Sequence, residues 1–209
     1  MMIIYHSVSI IYDHRALLQD FSLEVPRSRK VVFYGPSGSG KSSLLMMLPG
    51  FTRPDSGTVS VNGLTVNESH VDAIREKIAW VPQEAALPFT YVKELIDAPF
   101  LFKANKEQKP EKDQVLDYFE QLGLDSAHYD KRISEISGGE QQRIMLLIAA
   151  LLDKPVILLD EPTSALDSAS IDKVITFFRR MEHTTILAVS HDERFIRSFD
   201  QQIKIGGDE

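Results

Sequence analysis

The chain has 209 residues, a formal net charge of −7 and no cysteine. This length suits one large domain, or a core with a subdomain. The negative charge argues against a general nucleic-acid binder, because contacts along a phosphate backbone need clustered Lys and Arg. The absence of cysteine excludes disulfides and zinc–thiolate sites. The longest apolar run, Ile144–Leu152, is too short to span a membrane, so direct membrane insertion is not expected.

The first part of the chain is predicted to form short strands around one helix. Val31–Tyr34 is continuously apolar and ends at Gly35, a pattern typical of a buried parallel strand. Asn62-Gly63 is a strong hairpin signal. The predicted strands are Ile3–Ile11, Phe21–Val25, Lys30–Tyr34, Thr58–Val61 and Ile78–Val81, and the predicted helix is Lys41–Leu48.

The character of the chain changes between Gln83 and Ser137. Two segments there, Val92–Lys103 and Glu111–Leu122, are predicted to be helical, and β-branched residues are not clustered. We therefore interpret residues 84–137 as a helical subdomain within a single domain, whose core comprises residues 1–83 and 138–209.

Helices and strands alternate in the last part of the chain. A helix at Glu140–Leu152 precedes a buried strand at Val156–Leu159, and a helix at Ser168–Met181 precedes a final core strand at Thr185–Val189. Because strands alternate with helices, we predict an α/β fold whose sheet is mostly parallel and carries helices on its faces.

One loop has the composition of a phosphate site. It matches G-x-x-x-x-G-K-S between a predicted strand and a predicted helix. Its glycines let backbone N–H groups curl around phosphate oxygens, Lys41 is placed to reach terminal phosphates, and the Ser42 hydroxyl is placed for Mg²⁺. The loop, hereafter the P-loop, consists of Gly35, Pro36, Ser37, Gly38, Ser39, Gly40, Lys41 and Ser42.

Two carboxylates follow the apolar run Val156–Leu159. Ligand sites of α/β proteins lie at the carboxyl ends of strands. Adjacent strand residues point to opposite faces, so Asp160 and Glu161 are expected to have different roles. Asp160 suits a Mg²⁺ shell. Glu161, which the following proline is expected to hold extended, suits a general base acting on water. The alternative is a pair of solvated acids at a strand end.

Three further residues are candidates on weaker signals. His191 follows a predicted strand that adjoins the site, which favours a γ-phosphate contact over a structural role. Gln83 follows strand Ile78–Val81 and can hold a metal or water through its amide. Tyr12 is an aromatic residue near the first strands, for which core packing is the default and stacking on a base the alternative.

A second predicted helix start also has the character of an anion site, because a helix N-terminus carries unpaired N–H groups and partial positive charge. It is Ser137-Gly138-Gly139-Glu140. Ser137 and Glu140 can form a capping box, which is the purely structural interpretation. A cap does not need two glycines, however, and these let a ligand approach the backbone closely.

Taken together these motifs resemble, from end to end, the ATP-binding subunit of an ABC transporter. Gly35–Ser42 resembles its Walker A motif, Val156–Asp160 its Walker B motif, and Ile136–Arg143 the ABC signature. Glu161 matches the catalytic glutamate, and Gln83 the Q-loop. The remaining matches are Ser164–Asp167 (the D-loop), His191 (the switch histidine) and Tyr12 (the adenine-stacking aromatic). The chain departs from the family pattern at Ile136, where leucine is usual, and at Ser43, where threonine is commoner.

The resemblance implies a P-loop NTPase fold of the ABC ATPase type, with a mixed or parallel core sheet, N-terminal antiparallel strands and a helical insert. It implies that ATP and Mg²⁺ are bound and that ATP is hydrolysed. It also implies a head-to-tail dimer in which Ser137, Gly138 and Gly139 of one copy contact ATP on the other, and Asp167 signals across the interface. Ser43 is expected beside the phosphates as well.

Two functional classes remain on the sequence alone. The first is a transporter ATPase, peripheral on the cytoplasmic face of the membrane through a separate permease, with a faint resemblance to a metal (iron) exporter group. The second is a soluble ABC ATPase, as in iron–sulfur cluster assembly, translation or DNA repair. Pro88-Phe89 and Phe100–Phe102 are candidates to line a permease-docking groove, and ordinary subdomain core is the alternative for them.

Overall fold

The computed structural model describes residues 2–13, 15–84 and 88–206. The strands are β1 Ile3–Tyr12, β2 Arg15–Val25, β3 Lys30–Tyr34, β4 Ser56–Val61, β5 Leu64–Thr65, β6 Ile78–Val81, β7 Val156–Asp160, β8 Thr185–Val189 and β9 Gln201–Lys204. The α-helices are α1 Lys41–Met47, α2 Val71–Arg75, α3 Val92–Asp97, α4 Lys112–Gln121, α5 Gly138–Leu151, α6 Ser168–Arg179 and α7 Glu193–Arg197. Most of the predicted elements are therefore confirmed, with most ends shifted by one or two residues, although β2 starts six residues before the predicted Phe21.

Four strands form an antiparallel sheet in the order β2-β1-β4-β5. Tyr5 of β1 is buried, and its ring packs edge-on against Phe21 and Phe33. Its hydroxyl donates to the carbonyl oxygen of Leu44 at 2.9 Å, which satisfies this buried hydroxyl. The contact joins the antiparallel sheet to α1.

The predicted hairpin at Asn62 and Gly63 connects β4 to β5. The two residues have φ values of 53° and 81°, and two consecutive positive values are characteristic of the type I′ turn. The hairpin prediction is confirmed.

Five strands form a parallel sheet in the order β6-β7-β8-β3-β9. Consecutive residues of the central strands enter different apolar clusters: Val32 and Ile157 lie in one, whereas Val31 and Leu158 lie in the other. This alternation means that both faces of the sheet are covered, and it confirms the predicted α/β class. The carboxyl ends of β3, β6, β7 and β8 meet at one edge of the sheet, where the P-loop, Gln83, Asp160 and His191 are found.

The prediction that Thr185–Val189 is the final strand is wrong, because β9 follows it and pairs with β3. β9 lies at the edge of the sheet, and its sequence Gln-Gln-Ile-Lys has a single apolar residue, so it lacks the apolar run of a buried strand. The sequence also does not predict α2 and α7, which have five residues each and are too short to show helical periodicity.

The predicted helix Val92–Lys103 is shorter than expected. α3 ends at Asp97, and a 3₁₀ turn follows at Ala98–Leu101. Pro99 has no N–H to donate back to the preceding turn, which explains the change. The division of the chain at residues 84 and 137 stays a prediction, and residues 85–87 of that insert lie outside the described residues. Within the described ranges, no helix combines the length and apolar character that a membrane crossing requires.

The backbone after β9 packs against the P-loop. The N–H of Ile205 donates to the carbonyl oxygen of Tyr34 at 2.8 Å. Gly35 has a φ of 142°, and a Cβ atom at this position would overlap the carbonyl oxygen of Ile205. Gly206 also lies close to the P-loop, because a Cβ atom there would lie 2.8 Å from that of Ser39. Glycines at both positions let the two segments touch.

Candidate functional site

The P-loop connects the end of β3 to the start of α1. Gly38 and Gly40 have φ values of 77° and 94°, which side-chain-bearing residues rarely adopt. Gly40 is the N-cap residue of α1, and no side chain caps the N–H groups of the first turn. The start of α1 therefore offers unpaired N–H donors to an anion.

The buried side chain of Lys41 is hydrogen-bonded to the backbone of the P-loop. It is only 5% exposed, and its Nζ donates to the carbonyl oxygens of Gly35 at 3.0 Å and Pro36 at 2.7 Å. Burial lowers the pKa of Lys41, and the charges of Glu161 and Asp160 oppose that shift. The ammonium group is thus fixed at the place where phosphate oxygens would meet the P-loop.

Ser42 and Asp160 join the P-loop to β7. The Ser42 hydroxyl donates to Oδ1 of Asp160 at 2.9 Å. Burial raises the pKa of the Asp160 carboxyl, whereas the Ser42 hydrogen bond and the charge of Lys41 lower it. A hydroxyl and a carboxylate are hard oxygen ligands of the kind that Mg²⁺ prefers, and Mg²⁺ sites in proteins often take one or two such ligands and complete their shell with phosphates and water. These two residues therefore fit a magnesium site.

Glu161 departs from the prediction that the following proline holds it extended. Its φ is 49°, in the left-handed region, so that prediction is wrong. The N–H of Glu161 donates to the carbonyl oxygen of Val189 at 3.0 Å, and its carbonyl accepts from Ser164. These bonds to β8 and to the following turn override the local preference before Pro162.

The Glu161 carboxylate lies beside His191. Nε2 of His191 is 3.2 Å from Oε1 of Glu161. The Glu161 side chain is 12% exposed, and burial raises the pKa of its carboxyl, while the nearby His191 lowers it. A carboxylate with a raised pKa and an oriented partner has the properties of a general base.

A cleft of about 420 Å³ brings these groups together. Five predicted residues that bear side-chain chemistry line it, namely Lys41, Ser42, Gln83, Glu161 and His191, together with Ser37 and Gly38. Ser164, the first residue of the D-loop match, also lines this P-loop cleft, as do Thr163 and Asp192, which are not among the residues predicted from the sequence. Their positions next to Glu161 and His191 in the sequence are the signal that points to them.

Other predicted site residues do not line the P-loop cleft. Tyr12 lies at the end of β1 with 72% of its surface exposed, so the default expectation of core packing is wrong. Ser39 and Ser43 are half-buried in the P-loop and in α1. Asp167 is the N-cap of α6, where it accepts from the N–H of Ser170 at 2.8 Å. That hydrogen bond holds the pKa of Asp167 below its ordinary value.

The second helix start with the character of an anion site, Ser137–Glu140, forms the N-terminus of α5. The predicted capping box is present: Ser137 Oγ accepts from the N–H of Glu140 at 3.3 Å, and Glu140 Oε2 accepts from the N–H of Ser137 at 2.7 Å. A Cβ atom at Gly139 would lie 2.9 Å from the carbonyl oxygen of Ala165, whereas one at Gly138 would meet nothing within 4 Å. Packing within the chain therefore explains Gly139 and gives no reason for Gly138.

The candidate docking residues separate into two groups. Phe100 is 2% exposed and belongs to the core that α3, α4 and α5 share. Its neighbours Leu101 and Phe102 are 80% and 69% exposed. The interpretation as subdomain core is therefore confirmed for Phe100 and wrong for Leu101 and Phe102.

Comparisons with known proteins agree with these features. Residues 18–164 match the family model for the ABC transporter domain. The chain is 33% identical to the glutamate/aspartate import ATP-binding protein GltL of Escherichia coli K12, over 97% of this chain and 86% of GltL. It is also 33% identical to the Fe(3+) ions import ATP-binding protein FbpC of Pseudomonas fluorescens, over 96% of this chain and 57% of FbpC.

A solved structure matches over nearly the whole chain. It is the dimeric, post-hydrolysis state of the ATP-binding cassette MJ0796 bound to ADP and Pi. The TM-score is 0.83 at 25% identity, and the match covers 97% of this chain and 94% of that one.

Proposed function

The chain belongs to the ABC transporter family of ATP-hydrolysing cassettes, and from that premise we propose that it powers a transporter by ATP-dependent dimerisation, coupled to a separate membrane permease. The observation that carries the proposal is the division between two sites. One cleft gathers Lys41, Ser42, Glu161 and His191, while Ser137 starts a helix outside it. A second copy of the chain supplies the signature motif, Ile136–Arg143, to complete the site.

Each group in the cleft and next to it has a distinct role in this proposal. The P-loop N–H groups and Lys41 bind the phosphates of ATP. The second oxygen of the Glu161 carboxylate accepts a proton from the attacking water, because Oε1 is held by His191. Ser42, Asp160 and the amide of Gln83 would hold Mg²⁺, which supplies charge neutralisation when it is bound. Tyr12 stacks on the adenine base, for which its exposure is suitable.

The open surface at Gly138 supports the dimer. Space around this residue is of no use to the fold of one chain, but it admits a ligand to the N-terminus of α5. The dimeric form of MJ0796 is consistent with such an arrangement. In the dimer, Ser137, Gly138 and Gly139 of each copy contact the nucleotide of the other, and Asp167 lies at the interface.

The permease is proposed to contact the helical insert. Leu101 and Phe102 expose two large apolar side chains next to each other, which is unusual for a surface that faces water alone. The relatives named above are both transport subunits, which supports coupling to a permease over a soluble role. We accordingly place the chain in the cytoplasm, peripheral on the inner face of the membrane through that permease.

The names of the relatives point to no single transported substrate. GltL and FbpC are each 33% identical to this chain, although their names refer to different substrates. The resemblance to a metal (iron) exporter group stays a prediction, and the name of FbpC refers to import rather than export.

Purification from detergent-solubilised membranes tests the coupling. We expect the tagged chain to retain an integral membrane protein, and to hydrolyse ATP faster with that partner than alone. Recovery in the soluble fraction with full ATPase activity and no membrane partner would contradict the transporter role. It would favour a soluble ABC ATPase, such as an iron–sulfur cluster assembly factor.

A further inference from the structure

A buried histidine faces the signature motif from the helical insert. His128 lies in the 3₁₀ turn Ser126–Asp130 and is 8% exposed. Its Nε2 is 3.0 Å from Oε1 of Glu140. At the other side of the ring, Nδ1 lies 3.1 Å from the backbone nitrogen of Asp125 and 2.9 Å from its carbonyl oxygen. Partners at both nitrogens fix the orientation of the imidazole ring.

The same carboxylate holds the hydroxyl of Ser137. Oε2 of Glu140 accepts the Ser137 hydroxyl at 2.9 Å and the Ser137 N–H at 2.7 Å. These bonds from Ser137, with the neighbouring His128 and Arg143, hold the pKa of Glu140 below its ordinary value. The two oxygens of Glu140 therefore have separate partners, His128 on one side and Ser137 on the other.

We propose that His128 is a positioning residue for the ATP-dependent dimer. Its Nε2–H fixes the Glu140 carboxylate. That carboxylate fixes the Ser137 hydroxyl in the orientation from which the hydroxyl turns to a phosphate oxygen on the second copy. The inference rests on the proposed function, because it needs a nucleotide presented by another chain. Without His128, Oε1 of Glu140 loses its donor, and the carboxylate no longer holds the Ser137 hydroxyl in one orientation.

Arg143 also lies near this carboxylate, but its hydrogen bonds go to other groups. Its Nε donates to the carbonyl oxygen of Gly139 at 3.2 Å, and its Nη1 donates to those of Leu122 and Gly123. Arg143 is thus tied to backbone groups, whereas His128 contacts the carboxylate itself. His128 therefore gives the helical insert a direct side-chain contact with the Glu140 carboxylate of the cap.

The test is a double-mutant cycle in the full-length protein. Turnover is measured against protein concentration at saturating Mg-ATP for wild type, His128→Ala, His128→Gln, Ser137→Ala and the double variants. Affinity of the monomer for a fluorescent ATP analogue and the unfolding temperature are measured alongside. His183→Ala is the matched control, because His183 is exposed and distant from α5 in the sequence.

We expect His128→Ala to raise the protein concentration for half-maximal turnover by about tenfold, the effect of one hydrogen bond to a charged group. Monomer affinity for nucleotide should not change. Glutamine places an N–H₂ group near the position of Nε2, so His128→Gln should restore most of the loss. The effect of His128→Ala should disappear in the Ser137→Ala background, because it acts through that hydroxyl.

An equal effect of His128→Ala in both backgrounds would overturn the inference and leave only a packing role. If His128→Ala unfolds the turn, His128→Gln is compared with wild type instead. A loss of turnover in His128→Gln that exceeds the loss in His183→Ala, and that is unchanged in the Ser137→Ala background, also overturns the inference. Wild-type turnover that does not depend on protein concentration contradicts the dimer itself. A concentration-dependent wild type with an unaffected His128→Ala contradicts this inference alone.

Discussion

Nε2 of His191 and Oε1 of Glu161 lie 3.2 Å apart, across the ends of two neighbouring parallel strands. The register that pairs β7 with β8 continues past the sheet, because the N–H of Glu161 donates to Val189. The spacing of the two side chains is thus fixed by the same backbone bonds that build the core. A change in either side chain is expected to affect catalysis more than folding.

Replacement of Glu161 by glutamine should remove the general base. We expect turnover to fall by about a hundredfold or more, the usual contribution of a positioned base. ATP binding should persist, because the P-loop and Lys41 are unchanged, and dimer should accumulate. Phosphate release and size-exclusion chromatography with ATP measure the two effects. Glu120→Gln, an exposed site on α4, is the control, and unchanged turnover in Glu161→Gln would remove Glu161 from the role of base.

The pH dependence of turnover should report the raised pKa of Glu161. A protonated carboxyl is not a base, so kcat/KM falls as the pH drops through that pKa, and the acid limb should lie above that of an exposed glutamate. Because His191 lowers this pKa, His191→Ala should move the acid limb to still higher pH. The pH profile of kcat/KM for both proteins is the measurement. An acid limb that moves to lower pH would contradict the assignment.

Asp160→Asn should stabilise the nucleotide-free protein while impairing Mg²⁺-dependent turnover. Burial raises the pKa of Asp160, so the folded state binds its proton more tightly than the unfolded state. The ionised carboxylate of Asp160 therefore lowers the free energy of unfolding at pH values above that pKa. This loss disappears as the pH falls below the ordinary carboxyl range. We expect a gain of about 1 kcal/mol at neutral pH, since asparagine keeps an oxygen for the Ser42 hydroxyl.

Urea unfolding at neutral and acidic pH tests this expectation. Asp117→Asn, an exposed position on α4, should change stability little at either pH. Loss of stability in Asp160→Asn at neutral pH would show that the charge of Asp160 is well compensated in the folded chain.

Two neighbouring glycines should respond differently to alanine. Gly139→Ala places a Cβ atom 2.9 Å from the Ala165 carbonyl oxygen, so we expect a loss of stability of about 1 kcal/mol or more. The Cβ atom of Gly138→Ala would contact no other atom of the chain within 4 Å. The free energy of unfolding of the monomer should therefore stay at the wild-type value or rise by about 0.5 kcal/mol. Gly138→Ala should nevertheless weaken ATP-dependent dimerisation. Thermal unfolding and light scattering with ATP separate the two effects, and an unimpaired Gly138→Ala dimer would contradict close approach of a ligand there.

Ser137→Arg should separate binding from turnover. The P-loop cleft does not include Ser137, so affinity of the monomer for ATP should remain at the wild-type value. A bulky cation at the start of α5 should block the second copy and stop dimer-dependent hydrolysis. Ser134→Arg, which adds the same side chain three residues earlier on an exposed turn, is the control. Normal hydrolysis by Ser137→Arg would show that the signature motif does not act on a second copy.

The sequence predicts those site residues whose position follows from the local sequence pattern. Asp160 ends an apolar strand, and the P-loop needs glycine at positive φ, so both are visible without the structure. The left-handed Glu161 is not predictable in this way, because its conformation depends on bonds to Val189 and Ser164.

Edge strands of a sheet and side-chain contacts between residues distant in the chain are not predictable from the sequence for similar reasons. β9 is a strand only because β3 lies beside it. His128 carries no motif, and its role depends on a contact with Glu140, a residue twelve positions later in the chain, which nothing in the intervening sequence indicates.

The contact between Gly35 and Ile205 has a consequence for how the protein is made. The P-loop lies early in the chain, whereas the segment that supports it comes some 170 residues later. A ribosome therefore releases the P-loop long before its supporting strand exists. Nascent chains that stop before residue 201 should bind nucleotide poorly, so each new molecule acquires this ability only after β9 has emerged.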